Sequence, residues 1–199
     1  MAPRIQPFAP LWSGWFFYWK FLKEIIMKTK NITQASILLA IGTILHLIPG
    51  FVGMVKPDFM LVCVFTIIIL NKDFKMSLAV GIAGGILAGI TTSVPGGFLP
   101  NLVDKIVSSL FVYFAVISLE KFKIENIFSI GSLYFFGTAI SGLVFLILMN
   151  AAGALPEGFG LKLMFVSLVL PTAGINIIVG LFFDKVMGVY NKNFARSLA

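Results

Sequence analysis

Charged residues in this chain fall in small clusters, and the apolar segments between them have the lengths of helices that live in lipid. Taking the charges as boundaries gives six segments: Thr33–Ile48, Phe59–Leu70, Met76–Val94, Asn101–Leu119, Ile127–Met149 and Leu161–Phe183. A spanning helix needs about 20 mostly apolar residues, because about 30 Å of hydrocarbon is crossed at about 1.5 Å per residue. The last four segments reach that length and the first falls slightly short. The second, about a dozen residues long, is kept as a span because flanking residues and neighbouring helices can accommodate a short one. Helix is the expected conformation throughout, since backbone polar groups in lipid must be satisfied within the segment and an open sheet edge leaves them bare. Composition agrees. The 199 residues are 59% hydrophobic and 12% charged, whereas soluble domains are about 45–50% apolar and about 25% charged. Eight acids and fifteen bases do not cover the surface of a free-standing soluble domain, and disorder requires the opposite balance of hydrophobicity and charge.

Lysine and arginine set the orientation. With the N-terminus in the cytoplasm, the inner segments carry Arg4, Lys20, Lys23, Lys28 and Lys30, then Lys72 and Lys75, Lys121 and Lys123, and finally Lys185, Lys192 and Arg196. That leaves Lys56, Lys105 and Lys162 on the outer side. The expectation is an all-α membrane protein, a six-helix transmembrane bundle with N- and C-termini cytoplasmic. The net charge of +7 then reports topology, and no nucleic-acid partner is implied. Residues 1–26 form an N-terminal aromatic extension holding all three tryptophans. It reads as an interfacial segment at the headgroups, as residues upstream of a true start at Met27, or as an additional span. Residues 27–190 are the transmembrane domain and 191–199 a cytoplasmic tail.

Several chemistries are excluded. One cysteine, Cys63, allows no CxxC motif, and one histidine, His46, allows no HExxH zinc site. No lysine follows a glycine, so the chain holds no GxxxxGK[ST] phosphate loop. No G-x-S-x-G elbow is present either. No cofactor, metal or enzymatic activity is expected. Gly81, Gly85 and Gly89 repeat at four-residue spacing in the third segment, a ridge that lets helix backbones approach closely in lipid. Ser36 and Ala40 give the first segment a thinner small-residue stripe, suited to internal packing or to docking a partner.

Polar groups at membrane depth are costly and mark candidate sites. The richest group is Thr91-Thr92-Ser93 through Pro95, Pro100, Asn101, Asp104 and Lys105. Pro100-Asn101 reads as a helix start. Asn101, Asp104 and Ser108 then share one helix face, and Lys105, Ser109 and Tyr113 the next. A carboxylate, an ammonium and a helix N-terminus converge there, an arrangement suited to a zwitterion. Lys56 and Asp58 flank Pro57 before the second segment, placed either to cap that helix or to close over a ligand. His46, near a helix end, is expected to bond a carbonyl or water. Pro171 removes a backbone donor, with Thr172 and Asn176 on one face beside it, and interrupted helices with nearby amides recur at transporter binding sites.

At these residues the chain resembles the bacterial tryptophan transport protein family, a small group related to the substrate-binding S-components of energy-coupling-factor transporters. The resemblance is carried by Lys56-Pro57-Asp58, Thr91-Thr92 with Pro95 and Gly97, Pro100-Asn101 and Asp104-Lys105. It continues in Gly137-Thr138, Ser141-Gly142, Val144-Phe145-Leu146, Leu155-Pro156 and Leu170-Pro171 with Asn176. It covers about Met27 to Tyr190, and Pro-Asn-x-x-Asp-Lys is its most specific element. It implies an S-component-like six-helix fold in the bacterial cell membrane and uptake of tryptophan. The wider group implies a partner module of two ATPases and a membrane coupling protein, docked through a first-helix stripe that reads Ser36-xxx-Ala40 here. On this reading Asp104 binds the ammonium, Lys105 or Lys56 the carboxylate, and Tyr113 with nearby phenylalanines stacks the indole. Asn101, Asp58, Thr92 and Asn176 complete the substrate-binding set. The alternative is a self-sufficient ion-coupled amino-acid carrier using Asp104 or His46 as its proton site.

Overall fold

Three polar side chains decide where three of the helices begin. Asp58, Asp73 and Asn126 each accept a hydrogen bond from the backbone N–H three residues ahead, at 2.7–2.9 Å, satisfying one of the donors a helix start leaves open. The computed structural model describes residues 12–48, 56–124, 126–155 and 160–197, and it is helical throughout. In chain order the helices are α1 (Trp12–His46), α2 (Phe59–Asn71), α3 (Phe74–Ile90), α4 (Phe98–Lys121) and α5 (Ile127–Ala151). A last run, α6, comprises Leu161–Met164, a π-helical turn Phe165–Val169, and Leu170–Ser197. Residues 1–11 of the expected aromatic extension, the side chains of its tryptophans and Pro156 lie outside the described residues.

The chain divides into two compact units, Met1–Gln34 and Ala35–Ala199. The described part of the first is helical from Trp12, with Ile25, Ile26 and Ile32 exposed. The second unit holds the remaining helices. Its centre is α2, where every residue from Met60 to Ile69 is buried. A helix apolar on all sides belongs inside protein, and α2 contacts α3, α4, α5 and α6. Gly42 lies against Cys63, Gly84 against Val64 and Gly137 against the Phe65 ring, so three small residues let neighbouring helices close on it.

Length separates the helices into two kinds. α4, α5 and the stretch Leu161–Phe194 of α6 are long and apolar enough to cross a membrane. α2 has 13 residues and α3 has 17, about 20 Å and about 26 Å at 1.5 Å per residue. The expected spanning length of the third segment is therefore not reached. α3 stops at Ile90, and Pro95 with Gly96 at φ +73° turns the chain before α4. At its far end α6 stays helical to Ser197, through the residues expected to form a tail.

Candidate functional site

The glycine ridge of α3 positions the charged turn of α4. A Cβ at Gly85 would stand 2.9 Å from the Leu102 Cα, and one at Gly81 would stand 2.7 Å from the Ser109 hydroxyl and 3.3 Å from the Lys105 carbonyl. Only hydrogen fits at either point, so the two backbones lie close together and Lys105 is held against the interior. The Ser109 hydroxyl also donates to the Lys105 carbonyl. α4 begins at Phe98, two residues before the expected start, with the Asn101 amide donating to the Gly97 carbonyl at 2.7 Å. Pro100 stays in the first turn, where its missing N–H is no loss. Asp104 and Lys105 fall in the second turn, about 9 Å along the axis from Phe98. The open N–H groups of the helix start therefore do not share their position, contrary to the sequence expectation.

Helical spacing puts Lys105 and Asp104 on different faces, yet they meet. The Lys105 side chain, 2% exposed, brings Nζ to 2.9 Å from Asp58 Oδ2 and 3.2 Å from Asp104 Oδ1. A four-carbon stem lets the ammonium swing back toward the carboxylate of the preceding residue. The result is a buried carboxylate–ammonium–carboxylate cluster with a formal excess of one negative charge. Asp58 divides its carboxylate between two tasks, since Oδ1 caps α2 at the Leu61 N–H. Burial disfavours its charge, but the Lys105 ammonium and the Leu61 N–H outweigh that and hold Asp58 below the usual carboxylate range. Asp104 is different: Oδ1, although near Lys105, receives no aligned hydrogen bond among the described residues.

The segment carrying Lys56 and Asp58 is tied to α6 at two points. The Asp58 N–H donates to Asn176 Oδ1 at 3.0 Å, and the Thr172 hydroxyl donates to the Lys56 carbonyl at 3.2 Å. The Asn176 amide in turn reaches the Thr138 hydroxyl of α5 at 3.0 Å. Lys56 Nζ donates to the carbonyls of His46 and Ile48, while His46 Nδ1 pairs with the Thr91 hydroxyl at 2.9 Å. That hydroxyl already gives its proton to Leu87, so the imidazole is the donor. The expected single carbonyl or water partner of His46 is replaced by this link between the ends of α1 and α3.

These groups border a cavity of about 630 Å³, within the size range of small-molecule sites. Asp104, Lys105, Asn101, Lys56, Asp58 and Thr92 all line it, as does His46. Two of the sequence candidates do not. Asn176 stands behind the wall as the brace just described, and Tyr113 packs edge-on against Phe74 and Phe114 at centroid distances of 5.5 and 5.3 Å. Ser36 and Ala40 lie on an exposed face of α1. The apolar part of the lining escapes the sequence reading: it is made by Phe145, Leu146 and Met149 of α5 and by Met164, Leu168 and Val169 of α6. The signal lay in Thr138, Ser141 and Gly142, small or polar residues within an apolar run that also line the cavity. Pro171 was a clue as well. In place of an interrupted helix it follows a π-helical turn in which the Leu170 N–H reaches back to the Phe165 carbonyl, and single π turns often mark functional sites.

Comparison with known proteins gives one consistent result. The family model described as tryptophan transporter TrpP matches residues 28–189. A "probable tryptophan transport protein" of Clostridium perfringens is 36% identical over 168 residues, covering 80% of this chain and 91% of the relative. Proteins of the same description from Clostridium acetobutylicum and Bacillus subtilis are 40% and 39% identical, covering 77% and 76% of this chain and 89% and 87% of theirs. No solved structure matches the chain. The match is to transporters rather than enzymes, and with the apolar helices it makes this a multi-pass protein of the bacterial plasma membrane.

Proposed function

The chain belongs to the tryptophan transporter family, and from that premise we propose that it binds tryptophan in the cavity beside Asp104 and carries it inward across the membrane. The observation that bears most weight is the Asp104 carboxylate, 2% exposed, facing the cavity with one oxygen that accepts no hydrogen bond among the described residues. A buried, under-satisfied carboxylate is costly, and an incoming α-ammonium supplies both the charge and the donors it lacks. Lys105 is already engaged by two carboxylates, so it serves to hold the acids together and the ligand carboxylate falls to Lys56. The indole then lies against Phe145, Leu146 and Met149, where an aromatic pair adds about 0.5–1.5 kcal/mol beyond area burial.

The orientation follows from the lysine distribution, with both termini in the cytoplasm and the cavity-lining His46, Lys56 and Thr92 on the outer side. The chain works as a substrate-binding subunit of S-component type, energised by a separate ATPase module. The absence of any phosphate loop from these 199 residues and the resemblance noted above support this reading. Binding of radiolabelled tryptophan to purified protein in detergent tests the site. Wild type binds, and Asp104→Asn loses at least about tenfold in affinity while melting no lower than wild type, because the substitution removes a buried charge. Unchanged affinity takes Asp104 out of the site. Uptake by cells expressing this chain alone tests the energy source: transport that persists without ATPase partners and collapses with a protonophore establishes the ion-coupled carrier instead.

A further inference from the structure

The direction of each hydrogen bond around Asn176 follows from chemistry alone. A backbone N–H only donates, so the Asn176 atom 3.0 Å from the Asp58 nitrogen is the amide oxygen. The amide NH2 therefore points at Thr138, and the Thr138 hydroxyl accepts from it at 3.0 Å. A hydroxyl that accepts still has its own proton to place. Thr33, Thr43, Thr66 and Thr91 each give theirs to the carbonyl four residues back. Thr138 makes no such bond among the described residues, is 3% exposed, and lines the cavity. The cavity wall thus carries one buried donor without an acceptor, on α5, and one buried acceptor without a donor, Asp104 Oδ1 on the adjacent α4. Those two vacancies have opposite sense, as the two ends of a zwitterion do.

Resting on the reading of this cavity as an amino-acid site, we propose that Thr138 is a ligand-binding residue whose hydroxyl donates to the α-carboxylate, with Asn176 as the positioning residue that aims it. A neutral donor suits this place. A hydroxyl braced by an amide keeps its proton for the ligand, and so adds a directional contact to the carboxylate that the Lys56 ammonium attracts. Asn176 acts only through its neighbours: it orients Thr138 at one end and holds the Asp58 backbone at the other, so carboxylate recognition and the outer segment are linked through one side chain.

The test is equilibrium binding of radiolabelled tryptophan to the purified full chain, with tryptamine, which lacks the carboxylate, as competitor. Thr138→Val keeps the shape and removes the donor, while Thr138→Ser keeps the donor. The expected result is a loss of about tenfold or more in tryptophan affinity for Thr138→Val, the scale of a hydrogen bond to a charged group. Tryptamine affinity changes by less than about twofold, and Thr138→Ser recovers most of the loss. Equal losses for both ligands make Thr138 structural and overturn the proposal, as does a valine variant that binds tryptophan normally or a serine variant that behaves like valine. Wild-type protein that binds no tryptophan overturns the tryptophan reading itself, and this inference with it.

Discussion

Lys105→Met leaves two carboxylates facing each other inside the helical unit, and the size of the resulting loss can be worked from the geometry. At an effective dielectric of about 20, contacts of 2.9 and 3.2 Å correspond to about 6 and about 5 kcal/mol of attraction. The two contacted oxygens are at most about 6 Å apart by the same distances, so they repel by at least about 3 kcal/mol. Removing the ammonium thus forfeits about 11 kcal/mol of gross attraction and leaves the repulsion standing, while several kcal/mol return because a buried ammonium no longer has to be desolvated. The net expectation is the range seen when one member of a buried ion pair is deleted, about 3–5 kcal/mol. For a chain of this length that lowers the melting temperature by about 6–20 °C. Thermal unfolding of the purified protein in detergent, followed by intrinsic fluorescence, reads it directly. Adding Asp104→Asn to the methionine variant recovers at least half of the loss, because the remaining Asp58 is 22% exposed and keeps its Leu61 N–H. A single variant melting within about 2 °C of wild type, or a double variant with no recovery, refutes the cluster as the central electrostatic element of the site.

Two further predictions concern the same framework. Gly85→Ala puts a methyl 2.9 Å from the Leu102 Cα and 3.0 Å from its carbonyl oxygen; backbone gives way less readily than a side chain, so a loss of about 1–3 kcal/mol is expected, read as a lower melting temperature with tryptophan binding weakened. An unshifted melting temperature would show that α3 and α4 separate without cost. The second concerns acid. Asp58 titrates below its ordinary value of 3.8 in the folded protein, so its contribution is complete above that value and is lost as pH falls through the lower folded value. The stability gap between wild type and Asp58→Asn is therefore constant at and above about pH 5 and narrows only under more acidic conditions; a gap that closes between pH 7 and pH 5, on the order of the physiological range, contradicts the ion pair with Lys105.

The sequence by itself determined the solvent and the architecture. A composition so poor in charge leaves lipid as the medium, lipid demands helices, and clustered lysines mark their ends; α2 and α5 start within a residue of where Asp58 and Asn126 put them. It also picked out most of the polar wall, because a charged or amide side chain in an apolar run is conspicuous without coordinates. What it could not supply was anything carried by contacts between distant segments. Asp58 and Lys105 are 47 positions apart and Asp58 and Asn176 are 118 apart, and no periodicity within one helix reports such meetings. Helical spacing placed Tyr113 beside Lys105, yet packing turned that ring toward Phe74. The same spacing separated Lys105 from Asp104, yet a flexible stem brought them together. The apolar wall of Phe145, Met149 and Leu168 was hidden for a simpler reason: in a membrane helix, a residue lining a cavity and one facing lipid have the same composition. Tertiary structure alone distinguishes them, because only the neighbouring helices decide which side is enclosed.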